Sequence, residues 1–522
     1  MKGYWMLVLH SHLPFVKHPE YDFFLEEHWL FEAITESYIP LLMRLKRLKE
    51  EGVNFRLTTS ITPPLADMLS DSYFSTKYLR YLEKMIELTE KEIVRTRYSD
   101  RFNKLSTFYN ETLNQIRDFF LSDLNCNVLD GYRMFQEEGY IEVITCNATH
   151  GFLPLLNPDV SAVERQINLA VQSYEKHFRK KPKGIWLAEC AYYDGLDRIL
   201  AKYGIEYFFL DSHGLSYGKP FPKYGVFAPV YTPGKVAAFA RDPQSSKQVW
   251  SSKEGYPGDP SYRDFYRDIG FDLDFEYIKD YISPDGVRVY TGIKYYRITG
   301  NVNLADKEPY IPEEAFEKTK IHAQHFHFSR EKQAEYLSNF MDRPSLMVSP
   351  YDTELFGHWW FEGPDFLYHL FKEIDTYKQI QPITPSEYLD IYPENQVVRP
   401  SPSSWGDRGY YDVWLNGGND WVYKHLHQME RVIQSLKQQY TDPEPIRKRI
   451  IQQMERELLL AQSSDWTFLI TTGTAKEYAT SRLNQHIRNF FELERMLRED
   501  VDVQYLEILE NKNSIFRDII VS

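Results

Sequence analysis

The chain has 522 residues, 43% of them apolar and 26% charged, with a net charge of −14. This composition excludes a disordered chain, and the length calls for roughly two to four domains rather than one small core. The acidic balance argues against nucleic acid and anionic membranes as partners, because both need basic patches, and it is compatible with a neutral ligand.

Tyr4 to Leu9 is a continuous apolar run ending at His10-Ser11-His12, which reads as a buried parallel strand with two histidines at its C-terminal end. The run ends in polar residues rather than a small-residue cleavage site, so a strand is expected here, not a signal peptide. Trp29 to Glu51 carries apolar residues at helical spacing, with Pro40 expected to break it. Asn54 to Ser60 reads as a second strand, after which Pro63-Pro64 is expected to stop regular structure. Residues 72 to 139 repeat apolar positions at helical spacing over a length far beyond a simple crossover, and so predict an inserted helical layer.

Tyr140 to Cys146 is the third expected strand, followed by Asn147-Ala148-Thr149-His150-Gly151 and a helix from Val160 to Phe178. Ile185-Trp186-Leu187 is the fourth, with Glu189-Cys190 at its end. After a short helix over Leu196 to Tyr203, Tyr207 to Leu210 is the fifth, ending at Asp211 and His213. Residues 214 to 286 are loop-rich, with Val236 to Ala240 as a strand edge; a long aperiodic segment inside a compact domain is usually a lid or binding loop. Val287 to Ile293 reads as a further strand and Glu331 to Met341 as a helix. Ser345 to Val348 is the last buried strand, leading into SPYDTELFGHWWFEG and a helix from Pro364 to Ile374. Beyond about residue 400 the texture becomes Gly- and Trp-rich and then helical, over Val422 to Gln439, Pro443 to Gln462 and Ser481 to Leu497. The three cysteines have no CxxC spacing and imply no disulfide framework, which fits a reducing compartment; no stretch reaches the ~18 apolar residues of a spanning helix. A cytoplasmic location is expected.

Polar clusters thus stand at four strand ends: His10/His12, His150, Glu189 and Asp352. A parallel barrel gathers residues distant in sequence into one pocket in this way. Carboxylates beside tryptophans suit glycosidic chemistry, in which acids act on the bond and indole faces stack on sugar rings. The high count of Tyr, Phe and Trp (39, 33 and 10) leans the same way, although most of these rings must be core. Glu189 and Asp352, each in an apolar setting, are the candidate pair.

HSHLPF, TCNATHG, WLAECAY, SPYDTELFGHWWFEG and SSWGDRGYYDVW, in this order between residue 10 and beyond 420, resemble the motifs of glycoside hydrolase family 57, most closely its 1,4-α-glucan branching enzyme group. The resemblance implies an α/β fold: an incomplete (β/α)7 barrel (1–70 and 140–405), an inserted helical domain (71–139) and a C-terminal helical domain (406–522). It implies Glu189 as nucleophile and Asp352 as general acid/base. His10, His12, His150 and His358 are then expected to bind sugar hydroxyls, Trp359, Trp360, Trp405, Trp414 and Trp421 to act as platforms or gates, and Asp465 and Trp466 to reach the rim. It further implies a loop, here 232–262, that closes over the glycosyl-enzyme with an aromatic residue at its tip; Tyr231 and Phe239, in the stretch from Val230 to Trp250, are the candidates for it. A tryptophan platform is expected where Phe271 stands.

The expected activity is retaining α-1,4 cleavage with transfer to a 6-hydroxyl, on amylose, amylopectin or glycogen, by a monomer needing no cofactor or metal and no nucleic-acid or membrane partner. The alternative on the same residues is an α-amylase. Two other readings compete. His10, His12, His150 and Asp211 can be drawn as a zinc set, and a catalytically silent glucan-binding protein would keep the tryptophans but not both carboxylates.

Overall fold

The computed structural model describes residues 1–251 and 254–519. Nine strands form one sheet: β1 (Gly3–Ser11), β2 (Leu57–Ile61), β3 (Ile141–Cys146), β4 (Gly184–Trp186), β5 (Tyr207–Leu210), β6 (Val230–Tyr231), β7 (Ala237–Ala240), β8 (Ser345–Asp352) and β9 (Ile380–Pro382). Their order is β6-β7-β5-β4-β3-β2-β1-β8, with β9 paired to the start of β1. β1 to β5, β7 and β8 are all parallel, and only β6 runs antiparallel to its neighbour. Seven parallel strands curl towards closure, but β7 and β8 meet only at a bridge between Arg241 and Val348, so the barrel is incomplete as expected.

Side-chain alternation sorts each strand into an inner and an outer face. In β1, Trp5, Leu7 and Leu9 pack outward in a core shared with the covering helices. Tyr4, Met6 and Val8 pack with Cys146, Trp186, Phe209, Leu346 and Val348 from the other strands and fill the barrel. The inward series therefore continues to His10 at the end of β1 and to Asp352 at the end of β8. These two are register partners, and His10 is also the partner of Ser60 on β2.

Several expectations are corrected. Pro40 does not break its helix: Leu25–Ala33 passes through a π-turn, Ile34–Tyr38, directly into Ile39–Glu50. The Ile39 N–H reaches back five residues to the Ile34 carbonyl, and the wider turn makes room for the Pro40 ring. Pro63-Pro64 does not stop regular structure but opens the helix Pro63–Ser70, where missing N–H groups cost nothing. Val236 to Ala240 is no edge, since β7 lies buried between β5 and β6. Val287 to Ile293 is no strand: Asp268, fully buried, takes the backbone N–H groups of Thr291 and Gly292 at 3.0 and 2.9 Å. Within the loop-rich stretch stands a helix, Pro243–Trp250. The helix expected over 331–341 begins at Pro312 and ends at Leu337.

Between β2 and β3 lie the helices Ser72–Thr96, Asp100–Ser122 and Val128–Glu137. After residue 420 come Trp421–Gln439, Pro445–Ala461, Ser464–Thr472, Lys476–Met496 and Val503–Lys512, two more than the periodicity indicated. Their core is continuous with that around β4 and β5, through Leu196, Phe208 and Trp466. Among the described residues no helix is long and apolar enough to cross a membrane.

Candidate active site

A cleft of about 990 Å³ opens at the C-terminal ends of the strands and is lined by His10, His12, His150, Glu189, Asp352 and Glu354, among others. The four polar clusters noted in the sequence therefore meet. His150 and Glu189 hold left-handed backbone (φ 57° and 61°), a conformation that costs a non-glycine residue energy and concentrates at functional sites.

The helical C-terminal region supplies part of this wall. Ser463 bridges Gly151, and the Ser464 N–H bonds the His150 carbonyl at 3.0 Å. This docking sets Asp465 against His12, with Nε2 2.9 Å from Oδ2, while Ser463 also bonds the Asp465 carboxylate. Burial alone would lower His12, but the Asp465 charge outweighs it and holds the imidazole above its ordinary value. Asp465 in turn sits well below the usual carboxylate range: burial opposes this, and the adjacent His12 prevails.

His10 and His150 are pushed well below the ordinary imidazole value, chiefly by burial, and are neutral. Their contacts then form a directed chain. The Ser60 hydroxyl donates to His10 Nδ1 (2.9 Å), and His10 Nε2–H to His150 Nε2 (3.1 Å). His150 Nδ1–H donates to Ser464 Oγ (2.9 Å), and the Ser464 hydroxyl to Glu189 Oε1 (3.3 Å). The other oxygen, Oε2, accepts the Trp405 indole N–H at 2.7 Å. Each ring nitrogen in the chain has one role, so the neutral tautomers are fixed.

Among the carboxyls that line the cleft, Glu189 and Asp352 have different surroundings. Burial raises Glu189 to about 7, and the Trp405 hydrogen bond pulls it down against that burial. Asp352 is raised well above its ordinary value by burial and then by the charges of Glu354 and Glu189. Glu354 itself accepts the Tyr38 hydroxyl and the His12 N–H. Arg241 lies over the Trp405 ring, 5.0 Å from its centre.

The turn after β8 depends on Gly357, at φ 119°, where a Cβ would meet the Glu36 carbonyl oxygen at 1.8 Å. Glu36 comes from the π-turn; it bonds His358 Nδ1 at 2.6 Å and Arg263 at 2.8 Å. His358 thus reaches the cleft wall on a buried brace.

The tryptophans divide. Trp405 lines the cleft, and Trp359 lines it while 54% exposed, stacked on Phe265. Trp414 is buried in the wall with its ring stacked on Phe152, so it supports the cleft rather than presenting a free face. Three others are corrected. Trp360 is 1% exposed and packs on Phe366 and Phe356. Trp466 is equally buried, with its N–H bonded to the Leu460 carbonyl at 2.7 Å. Trp421 opens its helix and packs on the C-terminal core, and it does not line the cleft. Tyr231 and Phe239 lie in β6 and β7, and Phe239 is buried in the barrel, so neither is at a loop tip. The aromatic residue that segment 232–262 brings to the cleft is Trp250, 41% exposed at the end of its helix; residues 252 and 253 of the segment lie outside the described residues. Phe271 packs on Tyr290.

Sequence reasoning missed Ser464, Tyr38, Arg241 and Trp250. A serine or tyrosine in a helix carries no local signal of a partner hundreds of residues away.

As for metals, His12, His150 and Asp465 bring ligand-type atoms within 4.8 Å of one another, as do His10, Cys146 and His150. Both nitrogens of His10, His12 and His150 already have hydrogen-bond partners. Asp211 belongs to neither group; it is held by Arg241 at 3.0 Å and caps Ser212, which corrects the four-residue zinc set.

A model of glycosyl hydrolase family 57 matches residues 6–400, and one of the C-terminal region of 1,4-alpha-glucan branching enzymes matches 425–522. The chain is 36% identical to the 1,4-alpha-glucan branching enzyme TK1436 of Thermococcus kodakarensis, covering 100% of this chain and 78% of that one. Among solved structures, the alpha-amylase AmyC of Thermotoga maritima superposes with a TM-score of 0.94 at 47% identity, over 99% of this chain and 98% of that one. The branching enzyme of Pyrococcus horikoshii gives a TM-score of 0.89 at 36% identity, over 100% and 96%.

Proposed function

The chain belongs to glycosyl hydrolase family 57, and from that premise we propose that it is a retaining 1,4-α-glucan branching enzyme. The observation that carries the reading is the match of residues 425–522 to the branching-enzyme C-terminal region, whose Asp465 sits in the cleft against His12.

The surroundings assign the roles. Glu189, whose two oxygens accept hydrogen bonds from Trp405 and Ser464, attacks the anomeric carbon. Asp352, held protonated by its buried and like-charged setting, gives its proton to the glycosidic oxygen of the departing chain. A glycosyl ester on Glu189 results, and Asp352 is left as a carboxylate. It then takes the proton of a glucose 6-hydroxyl, whose oxygen attacks the anomeric carbon and frees Glu189. The Trp405 and Ser464 donors favour the ionised form of Glu189 both before attack and on release. Water at this stage gives hydrolysis instead, so shielding of the ester by groups at the mouth such as Trp250 and Trp359 favours transfer. The expected domain division, with a barrel over 1–70 and 140–405, an insertion over 71–139 and helices over 406–522, fits this division of labour.

An α-amylase reading has one specific support, the 47% identity to a protein described as an alpha-amylase. A product assay on amylose decides between the two. New α-1,6 linkages counted by proton NMR, in excess of new reducing ends, are the expected result. Reducing ends alone would refute branching.

A further inference from the structure

We infer that a second cavity, of about 560 Å³, holds a further stretch of α-1,4-glucan beside the catalytic cleft. The inference rests on the glucan reading above. The cavity lies between the helices Asp100–Ser122 and Ile39–Glu50 and the segment 290–294, and it shares two wall residues, Glu32 and His358, with the catalytic cleft. The two spaces therefore adjoin at the brace formed by His358 and Glu36.

An aromatic track crosses the boundary. Trp359, half exposed in the cleft wall, stacks on Phe265 with ring centres 4.3 Å apart and planes 22° apart. Phe265 in turn lies 5.6 Å from Tyr290, and both line the second cavity together with Phe108 and Phe361. Trp359, Phe265 and Tyr290 adjoin in series and each is at least partly exposed, so together they offer apolar surface to the C–H groups of successive pyranose units.

The polar lining favours a neutral, hydroxyl-rich ligand over an anion. The arginines are already neutralised: Arg44 bonds Asp365 at 2.6 Å and Arg263 bonds Glu36 at 2.8 Å. Burial raises Glu32 and Glu362 to about 7, so near neutral pH both can donate as well as accept hydrogen bonds. Gln115 and Thr112 add uncharged groups of the same kind. A transfer between two glucan chains gains from holding more chain than the reacting residues alone, because each positioned segment lowers the entropy cost of the encounter. The inserted helices thereby acquire a role in binding.

The test fills the cavity from two of the helices that line it, with Thr112→Trp and Met43→Trp, neither of which lines the cleft. Cleavage is measured as total new reducing ends plus α-1,6 linkages, on maltooligosaccharides of increasing length and on amylose. We expect short oligosaccharides to be cleaved within about twofold of the unaltered protein, while KM for amylose rises about fivefold or more with kcat held. An unchanged length dependence in both variants would overturn the inference. No cleavage of any α-glucan by the unaltered protein would instead sink the functional reading. Where a filled variant does not fold, a crystal of Glu189→Gln with maltoheptaose decides: glucose rings against Phe265 and Tyr290 support the site, and rings confined to the catalytic cleft refute it.

Discussion

His12 and Asp465, 453 positions apart, pair at 2.9 Å across the junction between barrel and helical region. The pair makes a pH signature. His12 is raised, so its share of stability is full below the unfolded imidazole value, about 6.5, and fades as pH climbs through the higher folded value. Asp465 is depressed, so its share is present above the unfolded carboxyl value, about 4, and is lost only as pH falls through the folded one. Asp465→Asn is therefore expected to lower Tm most between about pH 4 and 6.5 and progressively less above. A Tm difference that grows from pH 7 to 9 would contradict the pairing.

Burial raises the pKa of Asp352, and the charge of Glu354 raises it further. Glu354→Gln removes that charge, so Asp352 loses its proton at lower pH. The alkaline limb of the kcat/KM profile is expected to move towards acid, with the fold intact by circular dichroism. An unmoved limb would separate Glu354 from the acid's environment.

Trp405→Phe keeps a ring over Trp186 but deletes the N–H to Glu189. Loss of a hydrogen bond to a charged group should lower kcat/KM by about ten- to a hundredfold. The acid limb should move to higher pH, because that bond is what pulls Glu189 down. A fall in rate with no shift of the limb would point to stacking alone.

Glu189→Gln and Asp352→Asn each remove one half of the proposed double displacement. Cleavage of amylose should drop on the order of 10³-fold or more in each, and the double variant should be little worse than either alone. Near-full activity in either single variant, measured by reducing ends and α-1,6 linkages together, would remove that residue from the chemistry.

Adjacent tryptophans should behave oppositely. Trp360→Ala empties a core site and is expected to cost about 3–5 kcal/mol of stability by denaturant titration. Trp359→Ala, on an exposed ring, should leave stability nearly unchanged and raise KM for amylose. Equal stability losses would mean that Trp359 is also core.

Much of this was legible in the residues. Unbroken apolar runs ending in His, Glu or Asp mark buried parallel strands with polar ends, and alternation from Tyr4 to His10 says which face those ends turn to. The errors have physical causes. Trp359 and Trp360 read alike in a motif, and only packing against Phe366 separates them. Pro40 looks like a breaker unless a π-turn is available. The helix Pro312–Leu337 is largely polar, with histidines at 322, 325 and 327, so its first half lacks an apolar stripe. Ser464 bonds His150 and Glu189, each roughly 300 positions away, and no local pattern records such a contact.

The docking of Ser463 and Ser464 onto Gly151 and His150 has a consequence for synthesis. A ribosome finishes the barrel strands well before it reaches these serines, so a nascent or prematurely released chain has Glu189 without its Oε1 donor and His12 without its counter-ion. Such fragments are expected not to cut glucan, and a chain ended before Ser463 that degraded amylose would disprove it. The pocket around Glu189 and His12 is thus complete only once the chain has been made through Asp465.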